Sequence, residues 1–160
     1  MSQVFPPVVS IRYAGSEDLI RVLRVQIDAL RTLCVSDYTP QQIEALIERN
    51  IRHSSFGGSR NEITLVAEVD GVVGGCATLM GYRITAIYVH PQFARKGIGT
   101  QLLVGLEQMA MNNRVNTLRV AASFNAKSFY QANGYQLVSQ SHFLTNEGLQ
   151  IPYLNMRKHL

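Results

Sequence analysis

The chain contains no tryptophan, two cysteines and five prolines among its 160 residues. Cys34 and Cys76 stand far apart and match neither a redox pair nor a zinc pattern. They read as free thiols of a cytosolic protein, so a cytoplasmic location is expected and no disulfide framework is. No run of about 18 apolar residues is present, which excludes a membrane-spanning helix. The first nine residues lack a basic segment followed by an apolar block, so they do not read as a signal peptide. Charge is also sparse, at 16% of residues, with 15 Lys+Arg against 11 Asp+Glu and a net +4. The basic residues, among them Arg21, Arg24, Arg31, Arg49, Arg52, Arg95, Lys96, Arg157 and Lys158, are scattered rather than gathered in a stripe. That argues against a nucleic-acid partner and suits an anionic ligand held at one place. The four histidines, His53, His90, His142 and His159, share no ligand spacing, and no metal site is expected. Gly-Lys-Ser/Thr is missing, which excludes a nucleotide P-loop.

What remains is 46% hydrophobic residues and a mean hydropathy of +0.02. Composition of this kind excludes intrinsic disorder. A chain of this length removes about 70% of its unfolded surface from water on folding, enough for a core without metal or disulfide. With no repeat, linker or low-complexity tract, a single domain over 1–160 is expected, its core running from about 8 to 158.

Periodicity then orders the elements. A first strand is expected over Val8–Ala14, followed by a helix capped by Ser16 with Glu17 and Asp18 in its first turn. Its apolar residues are Leu19, Val22, Leu23, Ile27 and Leu30. Thr39-Pro40-Gln41-Gln42 is a capping box with proline at the first helical position, opening a second helix whose apolar face is Ile43, Leu46, Ile47 and Ile51. Ser54–Asn61 reads as loop. Strands over Glu62–Val69 and Val72–Met80 meet at Asp70-Gly71, a type I′ hairpin signal, and Ile84–Val89 is a third run. Gly97–Met111 reads as an amphipathic helix, Val115–Ala121 as a strand, and Asn125–Asn133 as a short helix stopped by Gly134. Tyr135–Phe143 and Leu149–Met156 close as a hairpin. The order βααβββαβαββ, with one strand–helix–strand unit among antiparallel neighbours, is a mixed α/β sheet.

Two segments carry chemistry. In Val89-His90-Pro91-Gln92-Phe93-Ala94-Arg95-Lys96-Gly97-Ile98-Gly99-Thr100 a strand ends, a short loop brings two basic residues, and a helix opens on Gly-x-Gly. The first N–H groups of a helix lack intrahelical partners and can hold an anion, with a diphosphate as the natural ligand. The same pattern also fits a glycine-rich turn that only starts a helix. It lacks the third glycine and the distant acid of a dinucleotide fingerprint. In Asn125-Ala126-Lys127-Ser128-Phe129-Tyr130 with Gly134-Tyr135, Asn125 can cap the helix. Tyr130 can protonate a departing thiolate, or can simply pack in the core with its hydroxyl turned outward.

Taken together, these segments resemble the GNAT superfamily of acyl-CoA-dependent N-acetyltransferases. Ile87-Tyr88-Val89-His90-Pro91 through Arg95–Leu103 is similar to that family's signature strand–loop–helix. Asn125–Tyr130 with Gly134-Tyr135 is similar to its second cofactor motif, and the element order matches from Ile11 to Lys158. The resemblance implies a sheet whose central strands splay into a V, with acetyl-CoA as cosubstrate. Backbone amides across Arg95, Lys96, Gly97, Ile98, Gly99 and Thr100 would hold the pyrophosphate. The main chain of Ile87, Tyr88 and Val89 would pair with the pantetheine arm, and an N–H near Tyr88 would polarise the acetyl carbonyl. Asn125 would contact the pantetheine from the second cofactor motif, to which Ser128 also belongs, and Tyr130 would be the general acid.

Three positions depart from the family pattern: Ala94 replaces its usual Gln or Arg, and Arg83 and Thr85 stand where some relatives carry an acid or histidine base. Deprotonation of the amine is therefore expected through water, with Glu68, Asp37, Tyr38 or His142 as the distant base. The implied reaction is direct attack by a primary amine in a ternary complex. The acceptor is expected to be a small amine, shaped by Leu33–Thr39, with Asp37 and Tyr38 suiting a cationic one. A protein lysine or N-terminal acceptor, a non-catalytic acyl-CoA sensor, and a covalent relay through Cys34 or Cys76 are the alternatives. A homodimer covering an edge at Leu149–Met156 is plausible on strand-edge grounds.

Overall fold

The computed structural model describes residues 3, 5–53 and 62–160, so the loop expected over 54–61 lies outside the described residues. Asp70 (φ 50°) and Gly71 (φ 81°) adopt the left-handed conformations that a two-residue type I′ turn demands. They join β2 (Glu62–Val69) to β3 (Val72–Met80) in antiparallel register, Val69 opposite Val72. β1 (Val9–Tyr13) lies outside β2, and β4 (Arg83–Val89) continues the meander beyond β3. Then β5 (Thr117–Ala122) pairs parallel to β4, and β7 (Gln150–His159) inserts between β5 and the outermost β6 (Gln136–Leu144). The sheet order is β1-β2-β3-β4-β5-β7-β6. With helices α1 (Leu19–Leu33), α2 (Pro40–His53), α3 (Ile98–Asn112) and α4 (Lys127–Ala132), the chain reproduces the mixed α/β order read from its sequence.

Both faces of the sheet are covered, which is why β2 and β3 read as near-continuous apolar runs. Leu65, Ala67, Val69, Ala77 and Leu79 meet the α3 residues Ile98, Leu102, Leu103 and Leu106 on one face. The alternate residues Val66 and Cys76 meet Val22 and Val25 of α1 on the other. A third cluster joins Leu30, Cys34, Tyr38, Ile43 and Ile47 to Ile151 of β7.

Several local expectations differ. Ser16 is not the cap of α1: Gly15 precedes a 3₁₀ turn over Ser16–Asp18, and the Asp18 carboxylate folds back to accept the Gly15 N–H at 2.7 Å. Asn125 does not cap α4, because a 3₁₀ turn over Phe124–Ala126 precedes that helix and makes Ala126 the cap residue. The edge expected at Leu149–Met156 is wrong, since β7 is paired on both sides and β6 is the edge. The Thr39 box does form: Thr39 Oγ1 accepts the Gln42 N–H at 3.1 Å, and Gln42 Oε1 accepts the Thr39 N–H at 2.9 Å.

Candidate active site

β4 and β5 share only two ladder positions, Arg83 opposite Arg119 and Ile84 opposite Val120. Beyond them β4 stays with β3 while β5 stays with β7, so a wedge opens between the strands. A register shift where Ala86 and Ile84 face Thr78 and Leu79 leaves Thr85 as the extra residue of β4, a bulge that turns the strand. The His90 N–H donates to the Gly74 carbonyl at 2.8 Å. Alternation along an antiparallel pair then points the Tyr88 N–H at β3 and leaves the Ile87 and Val89 amides facing the wedge. Of the N–H groups near Tyr88 expected to polarise the acetyl carbonyl, those of Ile87 and Val89 face the wedge and that of Tyr88 does not.

α3 begins where the wedge is widest. Gly97 is in the left-handed region (φ 78°) as its cap residue, and no side chain caps the helix. The intrahelical ladder starts with the Gln101 N–H on the Gly97 carbonyl at 3.1 Å. The amides of Ile98, Gly99 and Thr100 have no partner among the described residues. Arg95, exposed and also left-handed (φ 61°), is a non-glycine residue held in a conformation that side chains disfavour. Gly99 needs its missing Cβ: one added there would approach the Phe129 ring of α4 to 3.3 Å. That contact brings the two sequence motifs together. His90 fixes the loop from the other side, with Nδ1 accepting the Gln92 N–H (3.1 Å) and Nε2 facing Asp28 Oδ2 of α1 at 2.9 Å. Because Nδ1 accepts, Nε2 carries the proton and donates to Asp28.

The wedge continues into a cleft of about 860 Å³ between the α1–α2 side and the β6–β7 hairpin. Ile87, Tyr88 and Tyr130 line it, whereas Val89, Arg95–Thr100, Asn125 and Ser128 do not. Asn125 and Ser128 are exposed near α4, and Asn125 Oδ1 accepts the Cys34 thiol at 3.4 Å. Tyr130 is 4% exposed, its ring set edge-on to Phe129 and Tyr135 at 5.1 and 5.4 Å. Its hydroxyl has no hydrogen-bond partner among the described residues, yet it is not an orphaned buried atom, so the oxygen reaches the cleft. Burial pushes this phenol well above its ordinary pKa and keeps it protonated. The Tyr88 phenol, which accepts Asn50 Nδ2 at 3.2 Å, is pushed up to about 12 by burial.

Of the four residues considered as a distant base, only Tyr38 lines the cleft. Its hydroxyl is committed elsewhere, donating to the Pro152 carbonyl at 2.8 Å and accepting the Phe124 N–H at 3.2 Å. Glu68 is held by Arg12 at the far edge of the sheet, Asp37 is exposed outside the cleft, and His142 sits on β6. The thiols do not line the cleft either: Cys34 and Cys76 are buried, form no disulfide, and are pushed up to about 11 and about 12 by desolvation.

Sequence reasoning missed Arg49, Asn50 and Glu62. Arg49 lies over the Phe143 ring at 3.9 Å, and Asn50 reaches Tyr88. One signal was available, since Leu46, Asn50 and His53 share one face of α2 and continue its apolar stripe with polar residues. Glu62 is the one acid among the described residues that line the cleft. It is half-buried, its carboxyl is raised by desolvation, and it has no cationic partner among the described residues.

Residues 34–160 match the family model described as an acetyltransferase (GNAT) domain. The chain belongs to the GNAT acetyltransferase family. A GCN5-related N-acetyltransferase from Rhodopseudomonas palustris superposes with a TM-score of 0.89 at 27% identity, covering 99% of this chain and 100% of that one. The PaiA N-acetyltransferase of Thermoplasma acidophilum, solved with coenzyme A, has a TM-score of 0.75 at 20% identity, with 96% and 99% covered. In sequence, YafP, an uncharacterized N-acetyltransferase of Escherichia coli (strain K12), is 25% identical over 132 residues, 82% of this chain and 84% of its own. The GNAT chain is accordingly an N-acetyltransferase, and among its described residues no helix is long and apolar enough to cross a membrane.

Proposed function

We propose that this chain moves an acetyl group from acetyl-CoA to the primary amine of a small molecule by direct attack within a ternary complex. The observation that carries the reading is the juxtaposition of the β4–β5 wedge with the uncapped first turn of α3. Free helix-N-terminal amides at one end of a groove suit a diphosphate, with Arg95 and Lys96 adding charge beside it. Along the groove, the outward N–H and C=O groups of Ile87 and Val89 stand ready to pair with an extended, amide-bearing arm, as a sheet edge accepts another strand. Asn125, in the turn before α4, and Ser128 of α4 flank that arm. Bound acetyl-CoA supplies the activated thioester. The chain's own residues align the amine with it, exclude water, and donate one N–H to the acetyl oxygen as charge develops there. Tyr130, protonated and open to the cleft, donates toward the departing sulfur. The burial of both thiols and their absence from the cleft lining support direct transfer over a covalent relay.

The reading is tested by thermal shift and by thiol release. Acetyl-CoA at a hundredfold excess over its Kd should stabilise the protein by about 2.7 kcal/mol, with inorganic phosphate contributing far less. Thiol release that depends on added amine completes the case, and equal stabilisation by phosphate alone would sink it.

The amine must lose a proton before or during attack. Glu62 is proposed to receive it through cleft water, in place of the four acceptors considered from sequence. Because burial raises this carboxyl, kcat/KM should fall as pH drops through a value higher than that of a solvent-exposed glutamate. Glu62→Gln should remove that acidic limb and lower kcat/KM at neutral pH about tenfold. A pH profile identical to wild type would return Glu62 to an ordinary cleft wall.

A further inference from the structure

Where the short β4–β5 ladder closes the wedge, the registers of six strands form one line. Glu62 of β2 faces Met80 of β3, Met80 faces Arg83 of β4, Arg83 faces Arg119 of β5, Arg119 faces Arg157 of β7, and Arg157 faces Gln136 of β6. Directly opposed residues share one face of a sheet, with Cβ atoms about 5 Å apart. Three guanidinium side chains on three adjacent strands therefore point the same way, and all three line the cleft while remaining exposed to solvent. None of the three has a carboxylate partner among the described residues, although Arg12, Arg31 and Arg52 each do. The segment 54–61 holds Arg60 and no acid, so its sequence brings no counter-charge. Like charges set directly opposite one another destabilise a sheet. Retaining three in register inside a concave site is understandable when an anion completes it, since guanidinium groups present paired donors to carboxylate or phosphate oxygens.

We propose that the Arg83–Arg119–Arg157 row holds an anionic group of the acceptor, so that the acceptor is a primary amine bearing a carboxylate or phosphate. This rests on the acetyl-transfer reading given above. The coenzyme's own phosphates are not the source. From Arg83 to Val89, beyond which the α3 amides lie, β4 spans six residue steps, about 20 Å of extended chain. The diphosphate end and the arginine row thus occupy opposite ends of the wedge, with the reacting centre between them. An amine anchored by its anion at the row presents its nitrogen toward the strands' divergence. This proposal replaces the expectation of a cationic acceptor drawn to Asp37, because Asp37 is outside the cleft, where the row's three arginines stand against one carboxylate, Glu62, among the described lining residues.

Two measurements test it. First, sulfate is titrated into protein saturated with coenzyme A, so that the α3 amides are already filled. The wild type should gain about 3 °C in Tm at saturating sulfate, and Arg119→Gln and Arg157→Gln should each lose most of that gain. No gain in the wild type, or an equal gain in the variants, overturns the proposal. Second, thiol release is followed with phosphoethanolamine, glutamate, ethanolamine and spermidine as acceptors. An anionic amine should be preferred, and Arg119→Gln should raise its KM about tenfold while the KM for acetyl-CoA moves less than twofold. The better of glutamate and phosphoethanolamine assigns carboxylate or phosphate as the group recognised. Preference for spermidine or ethanolamine overturns the proposal. If acetyl-CoA neither binds nor releases thiol with any amine, it is the acetyl-transfer reading that fails. The sulfate titration, repeated without coenzyme A, then judges the arginine row alone.

Discussion

Tyr130→Phe should lower kcat about a hundredfold while leaving the Kd for acetyl-CoA within twofold and the Tm nearly unchanged. The substitution removes one oxygen and keeps the ring, so the edge contacts with Phe129 and Tyr135 persist. Stability is spared because the hydroxyl has no hydrogen-bond partner among the described residues whose loss would leave a buried group unsatisfied. Catalysis suffers because amine attack expels a thiolate, and a proton donor poised in the cleft stabilises charge that exists only as that bond breaks. Burial keeps the phenol protonated across the working pH range, which is the form such a donor requires. Steady-state kinetics beside calorimetric acetyl-CoA binding separates the two roles. An unchanged kcat would make Tyr130 a packing residue, the alternative that its sequence position left open.

Tyr130 also shows how far a linear reading reaches. Helix phase placed it on a different face from Phe129, and the caps at Thr39 and Gly134 and the turn at Asp70-Gly71 were legible because each depends on neighbours within a few residues. The cap of α1 was misread because Asp18 prefers a two-pronged partner, Arg12, from the preceding strand, and that preference recruits Gly15 instead of Ser16. Asn125 was misread as a cap because its side chain is drawn to Cys34, 91 positions away in sequence. The dimer edge was assigned to the wrong strand because nothing in a hairpin's sequence says which arm turns inward. The arginine row is the extreme case. Arg83, Arg119 and Arg157 are unremarkable singly, and only the register of β4, β5 and β7 makes them neighbours.

Asp18→Asn should destabilise the fold by roughly 2–3 kcal/mol, somewhat less than breaking a fully buried ion pair, because Arg12 remains 36% exposed to water. The Asp18 side chain is fully buried, accepting from Arg12 Nη1 and Nη2 at 2.8 and 3.0 Å and from the Gly15 N–H at 2.7 Å. Asparagine keeps the shape but turns one acceptor into a donor facing a guanidinium, so it loses the charge-assisted bonds and strands a buried amide hydrogen. Denaturant unfolding at pH 7 measures the loss. The sign of its pH dependence follows from the Arg12 contact, which holds the Asp18 carboxyl below its ordinary value against the opposing pull of desolvation. A depressed folded-state pKa contributes stability that is fully present above the unfolded value of about 3.9 and is lost as pH falls through the folded one. Below about pH 4 the stability difference between wild type and Asp18→Asn should therefore shrink progressively, the two curves converging as the wild-type carboxyl takes up its proton. Parallel curves down to the acid transition would mean that the contribution of Asp18 is steric rather than ionic.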